Sequence, residues 1–428
     1  MLFRSCVNGD SNHVLRSCWT DKGWCQAYNA TVISFIEELV EASLDAAQRN
    51  QVWLPLKSGG LGLGSATCRR SAAFLASWEQ CFAEVAGAQS ATSAQALLTQ
   101  VPRVAAALDA AGVDLRLLGV SRYHANWAGC FDAGRAKRQK VYGKLVQAAA
   151  RKRLLAQLGT EDRVDFRSGG GQGGAFLLPP TAKEHLIPDD HLAVAMRLRL
   201  RVRNPAHLRR QVVAQVPQCG HRYVQTQRQC AGLLDSRGLH GLTCEVGGGV
   251  VHRHNRIRDW LAELIKSLTG HTATTEQYVP RWDRVVSVNG ADTIERARLD
   301  VVFVNLHGQR VHLDVVVPTA GTTNPELARS RAARDGAAAA RAEDGKRVRY
   351  PGPDLIPFAV EALGRPGRDA VRFVRSLAPS DPEERSAVLG GVWQSLAVLL
   401  QVENAELLLS AAGAGGGAAR SAGRGGAR

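Results

Sequence analysis

Long apolar runs are missing from this sequence. No stretch of about 18 or more apolar residues occurs, so no membrane-spanning helix is expected. Met1 to His13 set Arg4, Asn8, Asp10 and Asn12 among apolar neighbours and lack the apolar core of a secretory signal. Without such a signal, nine cysteines in 428 residues read as thiols or metal ligands, not as a disulfide framework. Six of them, Cys6, Cys18, Cys25, Cys68, Cys81 and Cys130, have no ligand spacing and read as ordinary thiols. The glycine run at 168–174 lacks the Gly-Lys-Ser/Thr ending of a phosphate loop, which argues against nucleotide binding there. No internal repeat is present.

What the chain has is hydrophobic residues, 45% of the total, and an excess of positive charge, 54 Lys and Arg against 39 Asp and Glu. The first permits real cores and excludes wholesale disorder. The second points to a polyanionic partner, nucleic acid before an acidic membrane surface. Apolar residues recur near the helical period over 28–49. A Pro55 and glycine turn follows at 53–63, then a helix over 66–85. Residues 90–160 read as Ala-rich helix with a basic run at 135–144, whose ordinary role is a solvated face. The run at 168–174 reads as a flexible linker, and 191–203 as a basic helix. An amphipathic helix is expected over 255–268, stopped by Gly270. Strand-like segments lie at 272–279, 285–288, 297–305 and 311–318; later a short segment at 355–359 and two further helices complete the domain. A helix opens at Asn324-Pro325-Glu326, a cap followed by Pro and an early acid, and runs to 347. The Gly/Ala/Arg tail from 411 reads as disordered.

Cys219, Cys230, His240 and Cys244 offer four zinc-type ligands. His240-Gly241-Leu242-Thr243-Cys244 is the informative part, because that spacing lets one turn present two ligands to a tetrahedral ion. Gly232 and Gly238 let the backbone wrap closely. The gap from Cys219 to Cys230 is wide, so His221, His252 or His254 could replace Cys219 as the fourth ligand. The stretch from Cys230-Ala231-Gly232 to Leu242-Thr243-Cys244, with Arg253-His254-Asn255 after it, resembles the Cys/His knuckle and following Arg-His-Asn of endonuclease-bearing non-LTR (LINE-like) retrotransposon polyproteins. The resemblance implies a structural zinc ion and nucleic-acid contacts from Arg253, His254, Asn255 and Arg298.

Downstream, Leu306-His307-Gly308-Gln309 reads as a tight turn between strands. A hairpin centred on His307 sets Asp300 opposite Asp314. Like charges opposed in an apolar sheet are destabilising, and a divalent cation between them would relieve this. In another register one Asp points outward instead. Two acids on adjacent strands resemble the magnesium site of the restriction-like nuclease fold, and the resemblance implies a metal-assisted cut aided by a lysine. Two residues past the second acid, where that lysine commonly lies, stands Val316. Lys346 on the next helix is its expected replacement, with Glu343 on the same face and Glu276 as a candidate third acid. Leu299 stands where the family has Pro.

Leu54-Pro55-Leu56-Lys57-Ser58-Gly59-Gly60-Leu61-Gly62-Leu63, with Ala76-Ser77-Trp78, resembles the segment after the polymerase thumb in the same elements. The paired palm aspartates are absent: Asp189-Asp190 follow Ile187-Pro188 and read as a helix start. No DNA synthesis is expected, and a fuller protein is expected to begin upstream of Met1. The fold class is multidomain α/β. A helical post-thumb-like segment occupies 1–85, a basic helical connector 86–218, a zinc knuckle 219–254, and a tail 409–428. Between knuckle and tail, 255–408 form a restriction-endonuclease-like α/β domain with a mixed central sheet flanked by helices. Magnesium and zinc are the implied cofactors. DNA, and secondarily element RNA, are the implied partners, with no small-molecule substrate and no membrane, in the nucleus. DNA nicking is the leading function. Behind it stand a catalytically inactive zinc-dependent DNA- or RNA-binding protein and, third, an Ala-rich interaction scaffold.

Overall fold

After a described helical stretch at 11–17, Asp21 opens the helix over Lys22–Leu39 by accepting the backbone N–H of Trp24 at 3.0 Å. The computed structural model of the protein describes residues 11–120, 138–203, 218–288, 291–305 and 307–413. In the N-terminal part the helices are α1 (Lys22–Leu39), α2 (Ala46–Val52), α3 (Ala66–Ala88), α4 (Ala94–Gln100), α5 (Pro102–Leu117) and α6 (Arg138–Gln157). The single helix expected over 28–49 is two. Asp45 and Gln48 close a reciprocal capping box, so the chain restarts there instead of continuing. Ala72, Phe74 and Leu75 of α3 share a core with Leu108, Ala111 and Leu115 of α5 and with Tyr142 and Val146 of α6.

The chain divides into two units, residues 1–163 with 177–179, and 164–176 with 180–428. The expected boundaries at 85/86 and 218/219 are therefore not unit boundaries. Residues 86–163 belong with the N-terminal helices, because α3, α5 and α6 build one core, and 164–176 belong with the second unit. The expected open linker at 168–174 is a packed element instead. It joins α7 (Thr160–Gly169) to a 3-10 turn at Gln172–Leu177. A Cβ on Gly173 would stand 2.8 Å from the Leu363 carbonyl oxygen, and the buried Arg199 donates to the carbonyls of Gly169 and Gly170 at 3.2 and 2.7 Å. Glycine here serves close approach, not flexibility.

The second unit continues with α8 (Asp189–Leu200), the short α9 (Leu239–Thr243) and α10 (Gly249–Thr269), whose end is Gly270 in the left-handed region at φ 72°. Six strands follow: β1 (Thr274–Tyr278), β2 (Arg284–Val288), β3 (Ala291–Glu295), β4 (Arg298–Val304), β5 (Arg310–Val316) and β6 (Leu355–Ala359). The order β1-β4-β5-β6 forms one mixed sheet, antiparallel except for the parallel β5–β6 pair, and β2–β3 is a separate ribbon. β3 had no counterpart among the expected strands. The helix expected over 324–347 is broken into α11 (Pro325–Ala333) and α12 (Ala337–Arg349), with Gly336 at φ 72° as the joint. Helices α13 (Arg368–Leu377) and α14 (Pro382–Ala411) complete the unit. Val301, Phe303, Leu313 and Val315 of the hairpin bury against Ile257, Leu261 and Ile265 of α10, Phe373 of α13, and Leu396 and Leu400 of α14. By length and composition alone α14 could cross a bilayer. Its polar Gln401, Glu403 and Asn404 are buried with its leucines, so its apolar face is used by the core. The tail expected from 409–411 on begins inside α14, which runs to Ala411; from 414 on it lies outside the described residues, as does the start of the basic run, 135–137.

Candidate metal centre and acidic site

Cys219, Cys230, His240 and Cys244 converge, with all four ligand atoms within 4.8 Å of one another. Cys219 Sγ is 3.9 Å and Cys230 Sγ 3.8 Å from Cys244 Sγ, and His240 Nε2 is 3.5 Å from Cys230 Sγ. Two sulphurs each ~2.3 Å from one ion at a tetrahedral angle stand ~3.8 Å apart, and a sulphur and an imidazole nitrogen ~3.5 Å apart. This Cys3His group can hold a metal ion. Local sequence explains the geometry. The Asp235 carboxylate accepts the N–H groups of Arg237, Leu239 and His240 at 2.9, 3.0 and 2.7 Å, which fixes the turn that presents His240. Gly232 is obligatory, because a Cβ there would stand 2.1 Å from the His240 ring. Burial first, then the neighbouring Cys219 and Cys230 sulphurs, push the Cys244 thiol up to about 12, a cost that a bound cation reverses. Cys219 completes the set; His221 instead contacts Ser410 Oγ at 2.9 Å, His252 lies 3.6 Å from Glu403, and His254 points to the sheet.

Pairing of Val301 with Leu313, Val302 with His312 and Phe303 with Val311 carries Asp300 opposite Asp314, the register expected from the turn. Both side chains are buried. Lys346 Nζ from α12 stands 2.5 Å from Asp314 Oδ2. Asp300 Oδ2 accepts the Val315 N–H at 2.6 Å and lies 3.2 Å from His254 Nε2. Burial pushes the Asp314 carboxyl up to about 6; Lys346 opposes this and the nearby Asp300 charge adds to it. Burial also raises Asp300, but the His254 hydrogen bond and charge, the Val315 amide and Lys346 outweigh it and leave Asp300 below the usual range. Lys346 is lowered by burial and raised more by Asp314. Two acids share a dry ribbon with one lysine and one histidine as counter-charges.

The other expected site residues are elsewhere. Glu343 is buried with Oε1 on the Asp369 N–H at 2.9 Å, so it caps α13 and does not join the acid pair. Glu276 is exposed and paired with Arg258. Arg253 is fully buried, donating to Asn404 Oδ1 at 2.8 Å and the Leu242 carbonyl at 3.2 Å; with no solvent-facing donor it cannot meet a phosphate. Asn255 lies within reach of His254 and Arg258, and Arg298 is exposed at the start of β4. The contact of His254 with Asp300 was not foreseen. Its signal was available: His254, Ile257 and Leu261 are spaced i, i+3, i+7, so the histidine continues the buried stripe of α10. Beyond Lys346 on α12, Arg347 lines a cleft of about 620 Å³ with Arg334, Arg368 and Arg375, three exposed arginines without a carboxylate partner among the described residues.

No model of a known protein family matches this sequence, and no curated protein matches it.

Proposed function

We propose that the chain is a nucleic-acid-binding piece of a non-LTR retrotransposon polyprotein, with a structural zinc ion in the Cys3His group and a magnesium-dependent site that nicks DNA. The observation that carries this is the ion pair of Lys346 with Asp314 opposite Asp300 in the sheet register. Two hard-oxygen ligands suit a hard divalent cation, and their opposition costs energy without one. Asp300 and Asp314 would hold magnesium, which when bound polarises a phosphodiester and acidifies water. His254 and the Val315 amide fix the orientation of Asp300. Lys346, released from Asp314 as the acids take the cation, would donate to a phosphate oxygen and stabilise the charge gained there. Water adds to phosphorus and the bond to the 3′ oxygen breaks, so the cut leaves a 3′-hydroxyl and a 5′-phosphate. The exposed arginines beside α12 supply phosphate contacts of the kind that set register on DNA. An element of this type works in the nucleus.

One observation favours a silent binder instead: Lys346 already neutralises Asp314. Supercoiled plasmid separates the two. Nicking that requires magnesium and disappears in Asp314→Ala is expected. DNA retention with no nicked product at any magnesium concentration leaves only the inactive, zinc-dependent binding protein.

A further inference from the structure

The Leu54–Leu63 segment has no part in the acidic site, yet it walls a cleft whose charge is of one sign among the described residues. This cleft, of about 770 Å³, lies within the first unit and runs between the segment, the start of α3 and one face of α6. Lys57, Arg69, Lys140 and Lys144 line it, and no carboxylate among the described residues does. The three lysines are exposed and make no ion pair among the described residues. Arg69 is held in place by neutral oxygens alone, Ser11 Oγ at 2.8 Å and the Gly64 carbonyl at 2.9 Å. Its Nε is a buried donor with no partner, which costs energy unless an acceptor arrives. The glycines are steric necessities here. A Cβ on Gly64 would stand 2.4 Å from the Arg69 guanidinium, and one on Gly60 would stand 2.1 Å from the Leu54 carbonyl oxygen. The turn is thus built to hold its backbone tight beside the cations.

We propose that this cleft binds a nucleic-acid strand through its phosphodiesters. Four cations with no anion demand a polyanion. A bilayer cannot enter a concave wall. Trp53 on the same wall offers an aromatic face of the sort on which bases stack, sequence-tolerantly. That feature favours a nucleic-acid strand over an acidic peptide. The site is separate from Asp300, Asp314 and the knuckle, so it does not depend on DNA cutting.

The test is fluorescence anisotropy of the full chain with a labelled single-stranded oligonucleotide of ~20 nucleotides, in zinc-containing buffer without magnesium, across a salt series. Lys57→Ala/Lys140→Ala/Lys144→Ala is expected to reduce the slope of log K against log salt by about 2, at ~0.7 per lost phosphate contact, and to weaken binding roughly 10-fold or more at 0.1 M salt. Replacing the same three lysines by arginine restores the slope, which rules out misfolding as the cause. A control that removes the same charge from exposed positions of the second unit, Arg310→Ala/Arg329→Ala/Arg385→Ala, keeps the slope nearly intact. An unchanged slope in the lysine variant, or an equal loss in the control, overturns the assignment. So does displacement of the oligonucleotide by polyglutamate as efficiently as by unlabelled strand at equal charge. A chain that binds as expected but never nicks plasmid keeps this cleft and loses the nuclease; the converse result separates them the other way.

Discussion

Asp314 is the residue on which pH bears most directly. Its folded-state pKa, pushed up to about 6 by burial, lies above the ~3.9 of an unfolded Asp. The folded state therefore binds the proton more tightly. Stability is unaffected below the unfolded value, falls as pH rises from there through about 6, and stays reduced above it. The cost at neutral pH is roughly 2 to 3 kcal/mol. Asp314→Asn should raise Tm at pH 7.5 and leave it nearly unchanged at pH 4, followed by calorimetry, while eliminating nicking. Wild-type nicking should rise as pH passes through 6, because only the anion can hold a cation. A Tm gain equal at both pH values would remove the buried charge from the account. At this scale the acid pair was legible in the sequence, since a short turn with Gly308 in the left-handed region at φ 73° fixes which residues face each other. Glu343 was not. Its spacing from Lys346 gives a shared helix face but cannot reveal that the free N–H groups of another helix, α13, lie within reach.

α10 is the element that joins the two candidate centres within the second unit. Arg253 near its start reaches the Leu242 carbonyl between the ligands His240 and Cys244, and Asn404 of α14; the next residue, His254, meets Asp300. Burial alone would lower the His254 pKa, but the hydrogen bond and charge of Asp300 hold it above the usual value. Its contribution to stability is thus full below about 6.5 and lost as pH rises through the folded value. Removing zinc should loosen the Leu242 turn, and with it the N-terminal turns of α10. Amide exchange over 249–256 should rise by an order of magnitude or more, and the His254 resonance should titrate closer to an ordinary histidine. Exchange and titration unchanged by chelation would show that the helix is anchored without the knuckle. The helix itself was readable from its apolar stripe and Gly270. The burial of Arg253 was less so, although its i, i+4, i+8 spacing with Ile257 and Leu261 sets it on the same stripe, because a buried arginine needs partners from distant parts of the chain.

For the whole molecule, the helical N-terminal part and most of the strands followed from periodicity and turn chemistry, whereas a mixed sheet was what the family resemblance implied. The division into units did not. Residues 168–174 looked like a linker because glycine marks both flexibility and close approach, and only the packing of Gly173 against Leu363 and Gly364 decides between them. The broken helix at Gly336 and the capping box at Asp45 are likewise local signals that a long helical period conceals. The knuckle and the acid pair both belong to the second unit, so a single ordered crystal can report on both. The most direct measurement is an anomalous difference map from crystals soaked in manganese, a stand-in for magnesium. One strong peak is predicted between Asp300 and Asp314, within about 2.2 Å of an oxygen of each, with Lys346 withdrawn from Asp314. A fully ordered site with no peak there, and Lys346 still paired with Asp314, would contradict it.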